Sequence, residues 1–120
     1  MFDHVGLKVS DLAASTPFYR AALEPLGLRL ESSGEGYAGF GPAGAPQLWL
    51  HAHAGARGPG AHVALRASNP AAVQAFHAAA LAHGGRDNGR PGLRPDYGPS
   101  YYAAFVLDPD GHNIEAVCTG

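Results

Sequence analysis

The sequence predicts an α+β fold made of two tandem β-α-β-β-β units. The first observation behind this is an internal repeat. Residues 4–27 lie over residues 62–85 without a gap, and eleven of the 24 positions are identical. His4-Val5-Gly6-Leu7 falls on His62-Val63-Ala64-Leu65, Phe18 on Phe76, Ala21-Ala22-Leu23 on Ala79-Ala80-Leu81, and Gly27 on Gly85. Self-similarity of this kind marks a duplicated structural unit. The second observation is period-two alternation, as in Val5, Leu7 and Val9 against Gly6, Lys8 and Ser10, which marks half-buried strands. The third is a helix-spaced apolar stripe after the first strand of each unit.

In the first unit, residues 5–9 read as a strand and Ser10-Asp11 opens a capping region. Pro17 is tolerated only in a first helical turn, so the main helix is expected to start near Ser15, after a looser turn over 11–14. Its stripe is Phe18, Ala22 and Leu26, and Pro25 and Gly27 end it. Leu28-Arg29-Leu30 is a second strand, Gly34-Glu35-Gly36 a turn, Tyr37 to Phe40 a third strand, and Gln47 to His53 a fourth beyond the Pro42 to Pro46 turn. The second unit repeats this order. Residues 62–67 form a strand, and Asn69-Pro70 is a cap before proline at the first helical position. Val73, Phe76, Ala80 and Leu81 make the stripe, and Gly84-Gly85 stops the helix. Residues 86–100 read as a short strand followed by a loop. Tyr101 to Leu107 is a strand, Asp108-Pro109-Asp110-Gly111 a tight turn, and Asn113 to Val117 the last strand.

A chain of 120 residues has the size of one domain. Residues 1–120 are read as a single domain, with module 1 at 1–53, a glycine-rich linker at 54–60 and module 2 at 61–120. Charged residues are 15% and the net charge is −2, which argues against a nucleic-acid partner. An apolar share of 46% argues against disorder. No apolar run approaches membrane-spanning length, so no membrane association is expected. The single cysteine, Cys118, cannot form an internal disulfide, and the N-terminus carries no basic leader or apolar signal core; a cytoplasmic location is expected.

The repeat also bears on chemistry, because whatever His4 does in one unit, His62 is placed to do in the other. Two imidazoles related by symmetry are a candidate metal site. Asp3-His4-Val5 at a strand start, Phe18-Tyr19 in the first helix, the second His-Val-Ala-Leu strand and Asp108-Pro109-Asp110-Gly111-His112-Asn113-Ile114-Glu115 carry a resemblance. In these features, over nearly the whole chain, the sequence resembles the vicinal-oxygen-chelate superfamily, which includes glyoxalase I, bleomycin-resistance proteins, fosfomycin-resistance enzymes and extradiol dioxygenases. The resemblance implies paired βαβββ modules whose curved mixed sheets enclose a cleft. It implies one divalent metal ion (Zn, Ni, Mn, Fe or Co) on His4, His62 and Glu115, and a glyoxalase-like lyase or isomerase acting on a substrate with neighbouring oxygens. It also implies a homodimer: in the swapped arrangement of short members, His4 of one chain meets His62 and Glu115 of the other, whereas in the alternative the modules pair within one chain. Two His and one carboxylate suit this chemistry because they leave coordination positions open.

The chain departs from glyoxalase I where that enzyme carries a fourth ligand, a Glu on the fourth strand. Trp49 stands there, and tryptophan cannot ligate. Gln47 and His51 share its face. Fosfomycin thiol transferases carry basic residues past the final Glu, and none follows here. Extradiol dioxygenases need a further acid–base His and Tyr, for which His51, His53, Tyr101 and Tyr102 are the available residues. Metal-assisted chemistry would still need a general base, for which the catalytic candidates are His51 and Tyr102. Substrate-binding candidates are Tyr37, Trp49, Tyr101 and Arg94, the last from a loop in which Arg86, Arg90, Arg94, Tyr97, Tyr101 and Tyr102 either clamp an anion or form a solvated rim. Asp108 and Asp110 read as turn formers, His77 and His83 as surface residues, and Cys118 as a packed thiol. The competing reading is a metal-free binding protein of bleomycin-resistance type, with Tyr37, Phe40, Trp49 and Tyr101 as aromatic walls.

Overall fold

A computed structural model describes residues 1–57 and 60–120. The elements run β1 (Val5–Val9), α1 (Leu12–Leu23) with a 3-10 turn at Glu24–Leu26, β2 (Arg29–Gly34), β3 (Tyr37–Gly41), β4 (Leu48–Ala52), β5 (His62–Arg66), α2 (Pro70–Ala82), β6 (Arg86–Leu93), β7 (Tyr102–Leu107) and β8 (Asn113–Cys118). They build two four-stranded mixed sheets, ordered β1-β4-β3-β2 and β5-β8-β7-β6. In each sheet the strand before the helix pairs in parallel with the last strand of its unit, and the other pairs are antiparallel. These are the two tandem βαβββ modules expected from the repeat. The expected linker at 54–60 includes Gly58 and Pro59, which lie outside the described residues.

Each sheet buries one face against its helix. Leu7, Val9, Ala38, Phe40, Leu48 and Leu50 meet Phe18, Tyr19, Ala22 and Leu23. Ala104, Val106, Ile114, Ala116 and Cys118 meet Val73, Phe76 and Ala80. The two helices also pack on one another, so the core is continuous across both modules. Among the described residues, no helix is long and apolar enough to cross a membrane.

Helix α1 begins at Leu12, three residues before the expected start. The Asp11 carboxylate accepts the Ala13 N–H at 3.0 Å and caps the helix there. Pro17 therefore sits inside the helix, and burial of the residues after it outweighs the missing N–H. Strand β6 is longer than the expected short strand. It is the edge of its sheet, where a proline such as Pro91 is tolerated, and register shifts on either side of Gly89 absorb the irregular segment. Strand β2 likewise extends to Gly34. Leu81 is 40% exposed and lies off the buried stripe. His77 is not a free surface residue, since its Nε2 pairs with Asp87 Oδ1 at 2.9 Å and ties α2 to β6. The aligned glycines differ in role. Gly27 has φ +79° and ends the first helix, whereas a Cβ on Gly85 would lie 2.5 Å from the Phe18 ring of the other module.

A polar clasp joins the modules at the β7–β8 turn. Gly111 (φ +91°) makes the turn, but Asp108 and Asp110 do more than form it. Buried Asp108 accepts the Tyr19 hydroxyl at 2.5 Å and the N–H groups of Asp110 and His112 at 2.9 and 2.8 Å. Asp110 accepts both the N–H and the hydroxyl of Ser10. His112 Nδ1 accepts the Ala61 N–H at 3.0 Å, so Nε2 carries the ring proton and donates it to the Lys8 carbonyl at 2.8 Å. Lys8, Ser10 and Tyr19 belong to module 1, so a turn in module 2 holds the two halves together.

Candidate active site

The sheet faces turned away from the helices carry the chemistry. On the second sheet, register pairs Ala64 with Glu115 and Glu115 with Phe105, so these share one face, and alternation adds His62. His62 Nε2 lies 2.9 Å from Glu115 Oε1. The Tyr101 hydroxyl donates to Glu115 Oε2 at 2.5 Å. Glu115 is only 2% exposed, yet both its oxygens have partners. The hydrogen bond to Glu115, followed by burial, pushes the Tyr101 phenol up to about 12, so it stays protonated and a donor at neutral pH. The Arg94 guanidinium lies 5.3 Å over the Phe105 ring and donates to the carbonyls of Gly92 and Arg90.

On the first sheet the corresponding face presents rings laid against glycines. Trp49 pairs with Gly6 on one side and Gly39 on the other, and a Cβ on Gly39 would lie 2.6 Å from the indole. The Tyr37 ring covers Gly34 in the same way. The His51 ring lies over Gly6, two residues from His4. Tyr37 and Trp49 have ring centroids 6.2 Å apart, and with His4 and His51 they line one open concavity. His4 Nδ1 donates to Asp3 Oδ1 at 2.7 Å, which fixes the tautomer that leaves Nε2 free as a ligand. A separate apolar cavity of about 190 Å³ lies where the start of β1 meets β5, lined by Phe2, His4, Phe40, Leu48, Val63 and Leu65.

The expected residues therefore fall into two groups. His62, Glu115 and Tyr101 are assembled, with Arg94 beside them. His4, Tyr37, Trp49 and His51 are assembled on the other module. Among the described residues, no three His, Cys, Asp or Glu side chains come together at one point, so His4 does not join His62 and Glu115 within a chain. Tyr102 lies on the helix side of its sheet, where its hydroxyl accepts from Gln74 Nε2 at 2.9 Å, facing away from Glu115. The partnership of Asp3 with His4 escaped the sequence reading although the two adjoin in the chain, and Tyr101, expected to bind substrate, instead donates to Glu115 through a bond spanning 14 residues that left no pattern.

The pair on the second sheet fits a divalent ion. Donor atoms 2.9 Å apart subtend roughly a right angle at an ion bonded to each at about 2.1 Å. His62 Nε2 and Glu115 Oε1 thus suit neighbouring coordination positions.

The family model described as the Glyoxalase/Bleomycin resistance protein/Dioxygenase superfamily matches residues 1–116. The chain belongs to this superfamily. Among solved structures, it is similar to a glyoxalase/bleomycin resistance protein from Albidiferax ferrireducens T118, with 31% identity, a TM-score of 0.83, and coverage of 98% of this chain and 97% of that one. It is similar to glyoxalase I from Zea mays at 26% identity and a TM-score of 0.70, covering 97% of this chain and 45% of the maize chain. A glyoxalase-related enzyme from Fulvimarina pelagi, 20% identical with a TM-score of 0.73, shares the fold, covering 94% of this chain and 84% of its own. No functionally curated protein matches the chain. In this superfamily member, the two groups of candidate residues lie on different modules.

Proposed function

We propose that this protein is a glyoxalase-like lyase or isomerase, working in the cytoplasm as a homodimer. A divalent ion (Zn, Ni, Mn, Fe or Co) is held by His62 and Glu115 of one protomer and His4 of the partner subunit. The observation that carries this reading is the His62–Glu115 pair, two ligand-type side chains 2.9 Å apart on the sheet face turned away from the helices. When bound, the ion supplies Lewis acidity toward a substrate with neighbouring oxygens. Three protein donors leave positions for those oxygens. Asp3 orients His4, and Tyr37 and Trp49 wall the pocket. Tyr101 and the Arg94 charge border its other side. His51, lying over Gly6 near His4, takes and returns a proton at the substrate carbon, a role that Trp49 cannot fill.

Elemental analysis of protein purified without chelators tests the ion, and His62→Ala should abolish stoichiometric uptake. Metal retained in that variant overturns the site. A mixing experiment tests the shared arrangement. His4→Ala and Glu115→Ala proteins each lack an intact site, but a mixed dimer regains one of its two. After random exchange, about a quarter of sites should recover metal. No recovery despite demonstrated exchange refutes a site built from two protomers.

The metal-free binding reading is favoured by one observation: both Glu115 oxygens already have protein partners, so the carboxylate is satisfied without an ion. Under that reading Trp49, the sole tryptophan, is quenched by a flat aromatic probe such as anilinonaphthalene sulfonate in the presence of chelator. A response that appears only with metal supports the enzyme instead.

A further inference from the structure

We infer that Tyr101 is a positioning residue that makes Glu115 a one-oxygen ligand, an inference that rests on the metal-dependent reading above. A carboxylate can bind an ion through one oxygen or two. With both, His4, His62 and Glu115 would supply four donors, the number of a closed tetrahedral site. With one, they supply three, and a position remains for substrate. The geometry selects the second case. Oε1 is turned to His62 Nε2 at 2.9 Å, while the Tyr101 hydroxyl holds Oε2 at 2.5 Å. While the phenol is in place Oε2 is engaged, and Oε1 is the oxygen left for an ion.

The phenol is held from several directions. The Arg94 N–H donates to the Tyr101 carbonyl at 2.7 Å, extending the β6–β7 ladder one pair beyond Leu93 and Tyr102. Strand alternation then puts Tyr101 on the Glu115 face, because Tyr102 points to the helix. The Tyr97 ring packs edge-on against Tyr101 at 5.3 Å, and the Tyr97 N–H donates to the Arg94 carbonyl at 2.9 Å. The Arg94 guanidinium, bonded to two carbonyls, stacks on Phe105, the cross-strand neighbour of Glu115. The arginine and tyrosines of this loop thus serve the carboxylate.

The test is Tyr101→Phe in the full chain, loaded with Co²⁺ and followed by visible absorption. Freed from the phenol, Oε2 joins Oε1 on the ion. The higher coordination number should lower the molar absorbance and move the bands to shorter wavelength relative to the unsubstituted protein. Tyr97→Ala, which withdraws the ring supporting Tyr101, should move the spectrum the same way by less, and it carries the test if Tyr101→Phe does not fold. Identical spectra at saturating Co²⁺ overturn the positioning role and leave the metal reading intact. Absence of Co²⁺ uptake by the unsubstituted protein overturns both.

Discussion

Replacing Tyr19 by Phe removes one hydroxyl from the clasp between modules and leaves its ring packing against Phe18 and Phe40 in place. The lost bond runs to a buried carboxyl group, that of Asp108, at 2.5 Å. Hydrogen bonds to charged groups contribute about 1.5–3 kcal/mol, and Asp108 keeps two N–H donors, so the expected cost is about 2 kcal/mol. With a urea slope of about 1–3 kcal/mol/M, the unfolding midpoint should fall by roughly 1 M. Asp108→Ala is more severe. It strands the Tyr19 hydroxyl and the N–H groups of Asp110 and His112, and should cost about 4 kcal/mol. That is a large share of a typical total of about 5–15 kcal/mol. The two changes should not add. Once Asp108 is gone, Tyr19→Phe removes a stranded hydroxyl and should be nearly neutral, giving a coupling of about 2 kcal/mol. Urea unfolding of the two single variants, the double variant and the unsubstituted protein measures this cycle. Additive losses, or a Tyr19→Phe variant within about 0.5 kcal/mol of the parent, would refute the clasp as the bond between modules.

Burial, and then the charge and hydrogen bond of Asp108, pushes the Tyr19 phenol well above its ordinary value. The folded state therefore holds this proton more tightly than the unfolded chain, whose phenols titrate near 10. The contribution is present below about pH 10 and is lost as pH rises beyond it, so unfolding followed from pH 9 to 11 should be steeper in the parent than in Tyr19→Phe; parallel curves would contradict this. Gly39→Ala places a Cβ 2.6 Å from the Trp49 ring. It should cost about 1–3 kcal/mol by overpacking and shift the emission of the sole tryptophan, and an unshifted spectrum would mean the indole does not lie on Gly39.

Much of the architecture is legible in the sequence because it is local or repeated. The Asn69-Pro70 helix start, the alternation of Val5, Leu7 and Val9, and the match of His4 with His62 all rest on short-range patterns. The early start of α1 is less legible, because the Asp11 cap competes with a rule about Pro17 and burial decides the contest. The extent of β6 is also obscure, because an edge strand tolerates Gly89, Pro91 and Gly92, which would break an interior one.

The sequence by itself determined that this chain is a duplication, which strands and helices each copy contains, and which side chains are of ligand type. Those features follow from backbone sterics and the periodicity of burial, which act within a few residues. Only the tertiary structure decided how the candidates are grouped. Parallel pairing of β5 with β8 brought His62 to Glu115 across 53 residues, and the β6–β7 ladder delivered Tyr101 to the same carboxylate. The clasp of Tyr19, Asp108 and Asp110 held the modules so that His4 stands apart from that pair. Contacts of this range depend on strand register and module packing, and residue order encodes them only through the whole fold.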